Sequence, residues 1–231
     1  FRRTQVHIGS KGQSIDEARF VPVPPGGELD RALSDFEAYL HAPRVLSPVV
    51  RLALVHYQFE TIHPFADGNG RVGRLLISLM LCLEDLLPQP LLYLSAYFER
   101  HRQAYYDHLL RVSQQGAWER WIAFFATGVA EQALDAVDRA TRLRELQAEY
   151  VEQVRSARTS ALLLRLLDHL FEQPYVTASS VRDLLNVTPR TAQQHIDRLR
   201  EADILREITG RKRNRVYLAQ GIIDAIRDPL P

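Results

Sequence analysis

The stretch from His63 to Arg74 reads H-P-F-A-D-G-N-G-R-V-G-R, and it decides how the rest of the chain is interpreted. It lies between two apolar segments with helical patterning, so the sequence predicts a helix–loop–helix unit centred on it. Within this string stand an imidazole, a carboxylate, an asparagine between two glycines, and two arginines. These are the groups needed to hold a metal-bound polyphosphate and to take a proton from an attacking group.

The glycines of the string predict a phosphate site. Gly68 and Gly70 permit positive φ angles and N–H groups that converge on an anion, and the N-terminus of the following helix faces the same point. Arg71 and Arg74 are three residues apart, so they share a helical face and can grip phosphate oxygens with paired N–H groups. Asp67 is predicted to bind a divalent cation that bridges the phosphates, and Mg²⁺ suits a single carboxylate best.

His63 is the candidate general base, because an imidazole with a pKa of about 6.5 accepts a proton near neutral pH. Two simpler interpretations stay open: a G-N-G sequence is also a common turn, and His63 with Asp67 is spaced like half of a zinc site. No third ligand stands at suitable spacing, which argues against zinc. No Lys-Ser/Thr pair follows the glycines, which excludes a Walker loop.

The bulk composition narrows the class of protein. The chain has 231 residues, a formal net charge of +1 and 46% hydrophobic residues, which is typical of a globular protein with one or two domains. The sequence contains neither a signal-peptide pattern nor an apolar run long enough to cross a membrane. The single cysteine, Cys82, lies in an apolar run and is expected to be an inert thiol. We expect a cytoplasmic location from this low cysteine use.

The hydrophobic pattern predicts a mostly α-helical chain. Residues 1–27 lack helical periodicity and are expected to form a small β-hairpin. Helices are predicted over about 29–40, 48–62, 72–86, 101–114, 118–130 and 132–155. The segments beyond residue 159 follow the order helix, helix, turn, helix and hairpin, as in a winged helix-turn-helix. We therefore predict a catalytic domain over 1–130, a connecting helix over 131–158 and a winged helix-turn-helix domain over 159–231.

A local basic face is predicted on the carboxyl-terminal domain, where a recognition helix over 189–202 and a wing over 204–218 meet. Such a composition suits phosphate contacts and groove recognition in DNA. The acidic residues Glu201, Asp203 and Glu207 weaken this face, so a solvated wing or a surface for dimer or protein contacts is the other interpretation. The candidate DNA contacts are Arg190, Gln194, Arg211, Lys212 and Arg213, with Gln193 and Arg215 beside them.

The string from His63 to Arg74 resembles the signature of the Fic family, whose members transfer AMP from ATP onto protein hydroxyl groups. The resemblance covers about residues 1–130 and implies a Fic-type helical catalytic domain with a small β-hairpin flap that docks the target. Here a long connecting helix and a winged helix follow it. Outside the loop, the similar segments are Gln5-Val6-His7-Ile8-Gly9, Phe20-Val21-Pro22, Leu92-Tyr93-Leu94-Ser95 and Tyr105-Tyr106.

The resemblance also implies roles by position. His63 becomes the general base, Asp67 the Mg²⁺ ligand, and Arg71 and Arg74 the ligands of the β- and γ-phosphates. Tyr105 and Tyr106 are implied to line the adenine pocket; without the resemblance they would be interpreted as core aromatics. The remaining residues implied to contact ATP are the phosphate nest of Gly68, Asn69 and Gly70 and the flap residues Ile8 and Gly9.

The function implied is ATP- and Mg²⁺-dependent transfer of AMP to a Tyr, Ser or Thr hydroxyl of a protein target, with release of pyrophosphate. Self-modification, DNA contact through the winged helix and a homodimer are expected further partnerships, and a membrane is not. The alternative is a DNA-binding transcriptional regulator whose Fic loop only senses a nucleotide. An intact His63 favours the enzyme, since sensing needs no base. A third hypothesis keeps the fold but changes the reaction: the same site uses another nucleotide donor or removes AMP from a modified protein.

One feature of many Fic relatives is absent from this sequence. These relatives carry an inhibitory helix with the pattern Ser/Thr-x-x-x-Glu-Gly/Asn, and no such string occurs here. In relatives of this build, the helix lies upstream of the flap, where this chain begins. We expect this form to lack the segment and to be less restrained than the full protein.

Overall fold

The computed structural model describes residues 1–9, 14–87, 89, 92–155 and 160–227. These residues are mostly helical and divide into two compact units, Phe1–Ala136 and the chain from Val137 onward. Each unit has its own hydrophobic core. Within the described part, no helix has both the length and the hydropathy to cross a bilayer.

The first unit is built from helices packed around buried aromatic side chains. Trp121 and Phe125 are fully buried, and the Trp121 indole donates a hydrogen bond to the carbonyl of Ala53 at 2.9 Å. This bond satisfies the only polar atom that the indole brings into the core. The helices are α1 (Gly27–His41), α2 (Pro48–Ile62), α3 (Asn69–Leu83), α4 (Leu94–Arg100), α5 (Arg102–Gln115) and α6 (Trp118–Val154), of which the last continues into the second unit.

The amino-terminal segment forms less sheet than the sequence pattern predicts. Ile8 and Phe20 make one isolated antiparallel bridge, with backbone hydrogen bonds of 2.8 and 3.1 Å. A short 3₁₀ turn over Ile15–Glu17 lies between them. Residues 10–13, within the predicted hairpin, lie outside the described residues. We call the segment from Gln5 to Pro22 the flap.

The second unit has the order of a winged helix-turn-helix. Its three short strands form an antiparallel sheet with β3 in the middle, in the order β1-β3-β2. Thr188 caps the N-terminus of the recognition helix by accepting a hydrogen bond from the backbone N–H of Thr191. The elements are α7 (Ala161–Glu172), β1 (Tyr175–Thr177), α8 (Ala178–Leu185), α9 (Pro189–Glu201), β2 (Arg206–Glu207), β3 (Val216–Leu218) and α10 (Gln220–Arg227).

Several element boundaries differ from the sequence pattern. The two helices predicted on either side of residue 131 are one continuous α6, because no proline interrupts the run and Gly128 stays helical, packed against the Tyr97 ring. The helix predicted from 72 begins at Asn69, since Gly68 takes a left-handed conformation and caps it. Strand β1 and helix α10 were not predicted, because each is too short to show clear periodicity.

Candidate active site

His63 occupies the end of α2 in an unusual backbone conformation. It is the C-cap residue, with φ 52° and ψ 60°, a left-handed geometry that is uncommon outside glycine. Its imidazole Nδ1 lies 3.3 Å from the carbonyl oxygen of Glu60, one turn earlier on the same helix. When Nδ1–H donates to that carbonyl, Nε2 keeps a free lone pair with which it can accept a proton.

Burial keeps the His63 imidazole neutral. Partial burial lowers its pKa below the ordinary value, the carbonyl of Glu60 raises it, and the positive charge of Arg2 lowers it further. The net direction is downward, so the basic form prevails at neutral pH. A group in this state is ready to act as a base.

Asn69 closes the loop between α2 and α3. Its side chain accepts a hydrogen bond from the backbone N–H of Phe65 and donates one to the carbonyl of the same residue, both at 2.8 Å. Asn69 is only 2% exposed. Its amide is therefore occupied within the protein, and what Asn69 can offer to an anion is its backbone N–H at the first position of α3.

Asp67 and Arg71 face solvent at the N-terminus of α3. The Asp67 carboxylate accepts the backbone N–H of Gly68 at 2.7 Å and pairs with the Arg71 guanidinium at 3.1 Å. The Asp67 side chain is 93% exposed. Gly68 has a φ of 85°, which glycine adopts without strain, and this conformation turns the chain into the helix. A carboxylate, a guanidinium and a helix N-terminus thus meet at one exposed point.

Arg74 lies deeper, above a buried group of titratable side chains. Its guanidinium would contact a Cβ at Gly70 within 3.0 Å, and Glu60 Oε1 would lie 3.9 Å from the same Cβ. Glu60 Oε1 is buried and has no hydrogen-bond partner among the described residues. Burial raises the pKa of Glu60 to about 7, against the opposing effect of the Arg74 charge. Arg74 and Glu60 therefore face each other across the α2–α3 contact without forming an ion pair.

Tyr105 and His56 form the floor beneath Glu60. The Tyr105 hydroxyl lies 2.9 Å from His56 Nε2 in the core. Burial lowers the pKa of His56 to about 3 and raises that of Tyr105 well above its usual value, so both are neutral. Tyr105 is 5% exposed and packs within the core cluster. Of the two tyrosines predicted at a nucleotide pocket, this one lies in the core and lines neither the cavity nor the cleft beside the flap.

A mostly apolar cavity lies between the flap and α5, beside the loop. Ile8 and Tyr106, both predicted at the site, line it, and Tyr106 is 36% exposed. Gly9 lines the adjoining cleft, together with Ile8 and Tyr106. The cavity has a volume of about 50 Å³, too small for a nucleobase, whereas the adjoining cleft has about 700 Å³. The cavity is lined by Ile8, Arg19, Phe20, Glu60, Thr61, Tyr106, Leu109, Leu110 and Ser113.

An ion pair ties the flap to α5 at the mouth of this cavity. Arg19 of the flap pairs with Asp107. The Arg19 guanidinium also lies 5.8 Å from the centre of the Tyr106 ring, within the range of a cation–π contact. The flap is thereby held over the cavity wall.

The string from His63 to Arg74 did not disclose several of these residues. Long-range contacts involve Arg2, Arg19 and Asp107. The partners in these contacts are 21 to 88 residues apart in sequence, so a local sequence pattern cannot reveal them. The sequence does contain a signal for Glu60, which is an isolated acidic residue in an apolar helical run, one turn before His63. Because the neighbouring residues of the helix are apolar and enter the core, a carboxyl at this position is buried with them at a cost in free energy.

The protein ligands fit Mg²⁺ only if a bound substrate supplies further oxygen ligands to the cation. No group of three or more potential ligands among His, Cys, Asp and Glu occurs in the described part of the chain. Asp67 alone presents an exposed carboxylate at the N-terminus of α3. Mg²⁺ is commonly held by one or two carboxylates with the remaining positions taken by phosphate oxygens and water.

The second unit has a basic cleft between the recognition helix and the wing. Of the candidate DNA contacts, Lys212 and Arg213 line it, along with Gln193 and Arg215. Arg190, Gln194 and Arg211 are exposed but do not line the cleft. Glu207 accepts hydrogen bonds from the backbone N–H groups of Thr209 and Gly210, at 2.7 and 3.0 Å. Its carboxylate thus shapes the turn of the wing.

Comparison with protein families finds two matches along the chain. Residues 1–81 match the Fic/DOC family, and residues 163–223 match a helix-turn-helix DNA-binding domain. The first match contains the loop and the flap, and the second contains the recognition helix and the wing.

Curated relatives match more than half of the chain. A protein adenylyltransferase Fic of Culex quinquefasciatus is 36% identical over 138 residues, which cover 58% of this chain and 24% of the relative. One of the same name from Drosophila grimshawi is 29% identical over 195 residues, 82% of this chain and 36% of the relative. The chain therefore spans about a quarter to a third of the length of these relatives.

A solved structure supports the fold. A Fic family protein from Desulfovibrio desulfuricans G20 superimposes with a TM-score of 0.52 over 95% of this chain and 62% of that one. The sequence identity is 19%, so this likeness shows shared fold alone.

Proposed function

We propose, for a chain that carries a Fic/DOC domain followed by a helix-turn-helix domain, that it transfers AMP from ATP to a hydroxyl group of a protein target. The observation that carries this proposal is His63, an imidazole with a lowered pKa at the end of α2, one short loop before the N-terminus of α3. A nucleotide sensor has no need of such a base. The names of the curated relatives support the same chemistry.

In the proposed reaction, His63 Nε2 takes the proton of the target hydroxyl as its oxygen attacks the α-phosphorus. A new O–P bond forms while the bond between the α-phosphorus and the bridging oxygen breaks, and pyrophosphate leaves with that electron pair. Arg71 and Arg74 hold the β- and γ-phosphates, and the N–H groups at the start of α3 face the oxygens. Mg²⁺ held by Asp67 would neutralise the phosphate charge.

The nucleoside is proposed to occupy the larger cleft between the flap and α5, whose volume is about 700 Å³. Ile8, Gly9 and Tyr106 line this cleft, and Tyr105 lies in the core with its hydroxyl against His56. The flap, anchored by Arg19 and Asp107, is where we place the target segment, since the exposed backbone of an extended segment can pair with a peptide.

The direct test is incubation of the chain with α-labelled ATP and Mg²⁺, followed by detection of label on protein. We expect His63→Ala to lower the transfer rate by about 10²- to 10⁴-fold, the usual worth of a general base. Asp67→Ala should raise the Mg²⁺ concentration required. The wild-type rate should be level above a pH of about 6.5 and fall as the pH decreases through the lowered pKa of His63.

The outcomes separate the candidate functions. Label on the wild-type chain that persists in His63→Ala contradicts His63 as the base. Tight ATP binding without any transfer, on the chain or on added proteins, favours the nucleotide-sensing regulator.

For the second unit we propose DNA binding through the basic cleft. The helix-turn-helix match and the convergence of Lys212, Arg213 and Arg215 against α9 support this proposal. We expect micromolar affinity or weaker for a random-sequence duplex, falling steeply with salt. In fluorescence anisotropy, Arg213→Ala should weaken binding and reduce the salt slope by about 1. The matched control is Arg144→Ala on the exposed face of α6, and equal losses in both variants would contradict a specific role for the cleft.

A further inference from the structure

Arg2 is a buried cation without a carboxylate partner among the residues that the structure describes. It is 5% exposed, and no acidic side chain among the described residues forms a salt bridge with it. Its Nη1 is buried without a hydrogen-bond partner in that part of the chain. Burying a guanidinium in this way is costly unless carbonyl oxygens compensate for the lost water.

The carbonyl oxygens that compensate belong to two segments. Arg2 Nε donates to the carbonyl of His63 at 2.9 Å, and Nη2 lies 3.5 Å from the carbonyl of Ile62. Nη2 also donates to the carbonyl of Val23, which follows the flap. In addition, the backbone N–H of Arg2 donates to the carbonyl of Pro64 at 2.9 Å. The guanidinium fork therefore joins the end of α2 to both ends of the flap segment.

The position of this cation matches the electrostatics of a helix end. The last carbonyls of an α-helix have no partner within the helix and carry its partial negative charge. Arg2 satisfies two of them at the residue where the backbone of His63 turns left-handed. A non-glycine residue holds such a conformation only when its surroundings enforce it. Arg2 supplies part of that enforcement.

We propose that Arg2 is a positioning residue for the base: it holds the backbone of His63 in its left-handed turn and fixes the flap relative to the imidazole. This inference rests on the proposed function for the role of His63 as base. Arg2 touches neither of the reacting groups and acts through His63. The charge of Arg2 also favours the neutral imidazole, in the same direction as burial.

The variants Arg2→Met and Arg2→Lys separate the geometric and electrostatic effects. Methionine keeps much of the apolar stem but removes the charge and all donors. Lysine keeps the charge but cannot span three carbonyl oxygens with one ammonium group. The control is Arg3→Met, because Arg3 is the exposed neighbour.

We expect single-turnover label transfer at saturating ATP to fall about 10- to 100-fold in both Arg2 variants and to stay unchanged in Arg3→Met. ATP affinity, measured by calorimetry, should change less than about 2-fold, so the loss lies in the transfer step. Intrinsic tryptophan fluorescence checks that each variant is folded at the assay temperature. An Arg2 variant that is folded and transfers at the wild-type rate overturns the proposal.

A second readout does not depend on activity. In a chain with isotope-labelled histidine, NMR titration gives the pKa of His63, assigned by comparison with His63→Ala. We expect that pKa to move upward in Arg2→Met and to stay low in Arg2→Lys, while the backbone chemical shifts of His63 leave their left-handed values in both. If the wild type shows no transfer, the proposed function fails, and these shifts still decide the role of Arg2: unchanged shifts in Arg2→Met overturn it.

Discussion

Glu60 is a buried carboxyl whose surroundings lower the free energy of unfolding. Its carboxyl lies between α2 and α3, close to Arg74 but not bonded to it, and Oε1 has no partner within the described part of the chain. Burial raises its pKa to about 7, from an ordinary value of 4.5. The folded protein therefore binds a proton at Glu60 over a pH range in which the unfolded chain has already released it.

The sign of the resulting pH dependence follows from this difference. Between pH 4.5 and about 7, the folded state holds more protons at Glu60 than the unfolded state, so the free energy of unfolding decreases as pH rises. Below this window both states are protonated and Glu60 imposes no penalty. Above it both states are ionised and the full penalty is present.

We expect Glu60→Gln to remove this penalty. Its stabilisation relative to the wild type should be small at pH 5 and reach at most about 3 kcal/mol at pH 8, from a shift of this size. The measurement is urea unfolding at several pH values, followed by tryptophan fluorescence. Both tryptophans, Trp118 and Trp121, lie in the first unit and report on it alone. A difference that stays constant with pH would show that Glu60 ionises normally.

At the scale of elements, the approach of α3 to α2 depends on Gly73. A Cβ at this position would lie 2.7 Å from Glu60 Oε1, 3.1 Å from Phe59 Cδ1 and 3.3 Å from His56 Cε1. Two of these neighbours are rings fixed in the core, so they cannot easily move aside. The absence of a side chain at Gly73 lets the two helices that carry His63 and Arg74 lie close together.

Gly73→Ala should therefore destabilise the first unit by about 1 to 3 kcal/mol, the usual cost of overpacking a core. It should also slow AMP transfer in the folded protein, because it pushes the two halves of the site apart. Gly27→Ala is the matched control, since Gly27 lies in helix α1 with nothing within 4 Å of its Cβ position. Tryptophan-monitored unfolding measures both variants, and equal effects would mean that helix propensity, not packing, determines the result.

At the scale of the whole molecule, the chain contains two hydrophobic cores. The first is built around Trp121 and Phe125, and the second around Leu163, Leu166 and Leu167. Helix α6 contributes residues to both. Since each core has its own set of buried side chains, we expect the two units to unfold in separate transitions.

Leu167→Ala tests this expectation. Leu167 is fully buried, so truncation should destabilise the second unit by about 2 to 5 kcal/mol. Thermal unfolding followed by circular dichroism, which detects both units, should show one transition moving to lower temperature. Tryptophan fluorescence should not change its midpoint. A common shift of both signals would instead identify a single cooperative unit.

Much of this architecture was predictable because its signals are local. Apolar spacing predicted α1, α2 and α5 close to their observed bounds. The mostly helical fold is confirmed, with a match to the Fic/DOC family over residues 1–81 and to a helix-turn-helix domain over residues 163–223. The roles of His63 and the loop residues stay predictions, and the domain boundaries at 130 and 159 stay predictions as well.

The sequence by itself determined the chemical content of the loop: His63, Asp67 and the two arginines are set by spacing on two helix ends, which is a property of neighbouring residues. Only the tertiary structure decided which distant groups act on them. It placed Arg2 on the carbonyl of His63, Glu60 against Gly73, and Tyr105 in the core beside His56. Such contacts arise from the packing of segments far apart in the chain, and burial then sets the protonation of each group, which no local pattern encodes.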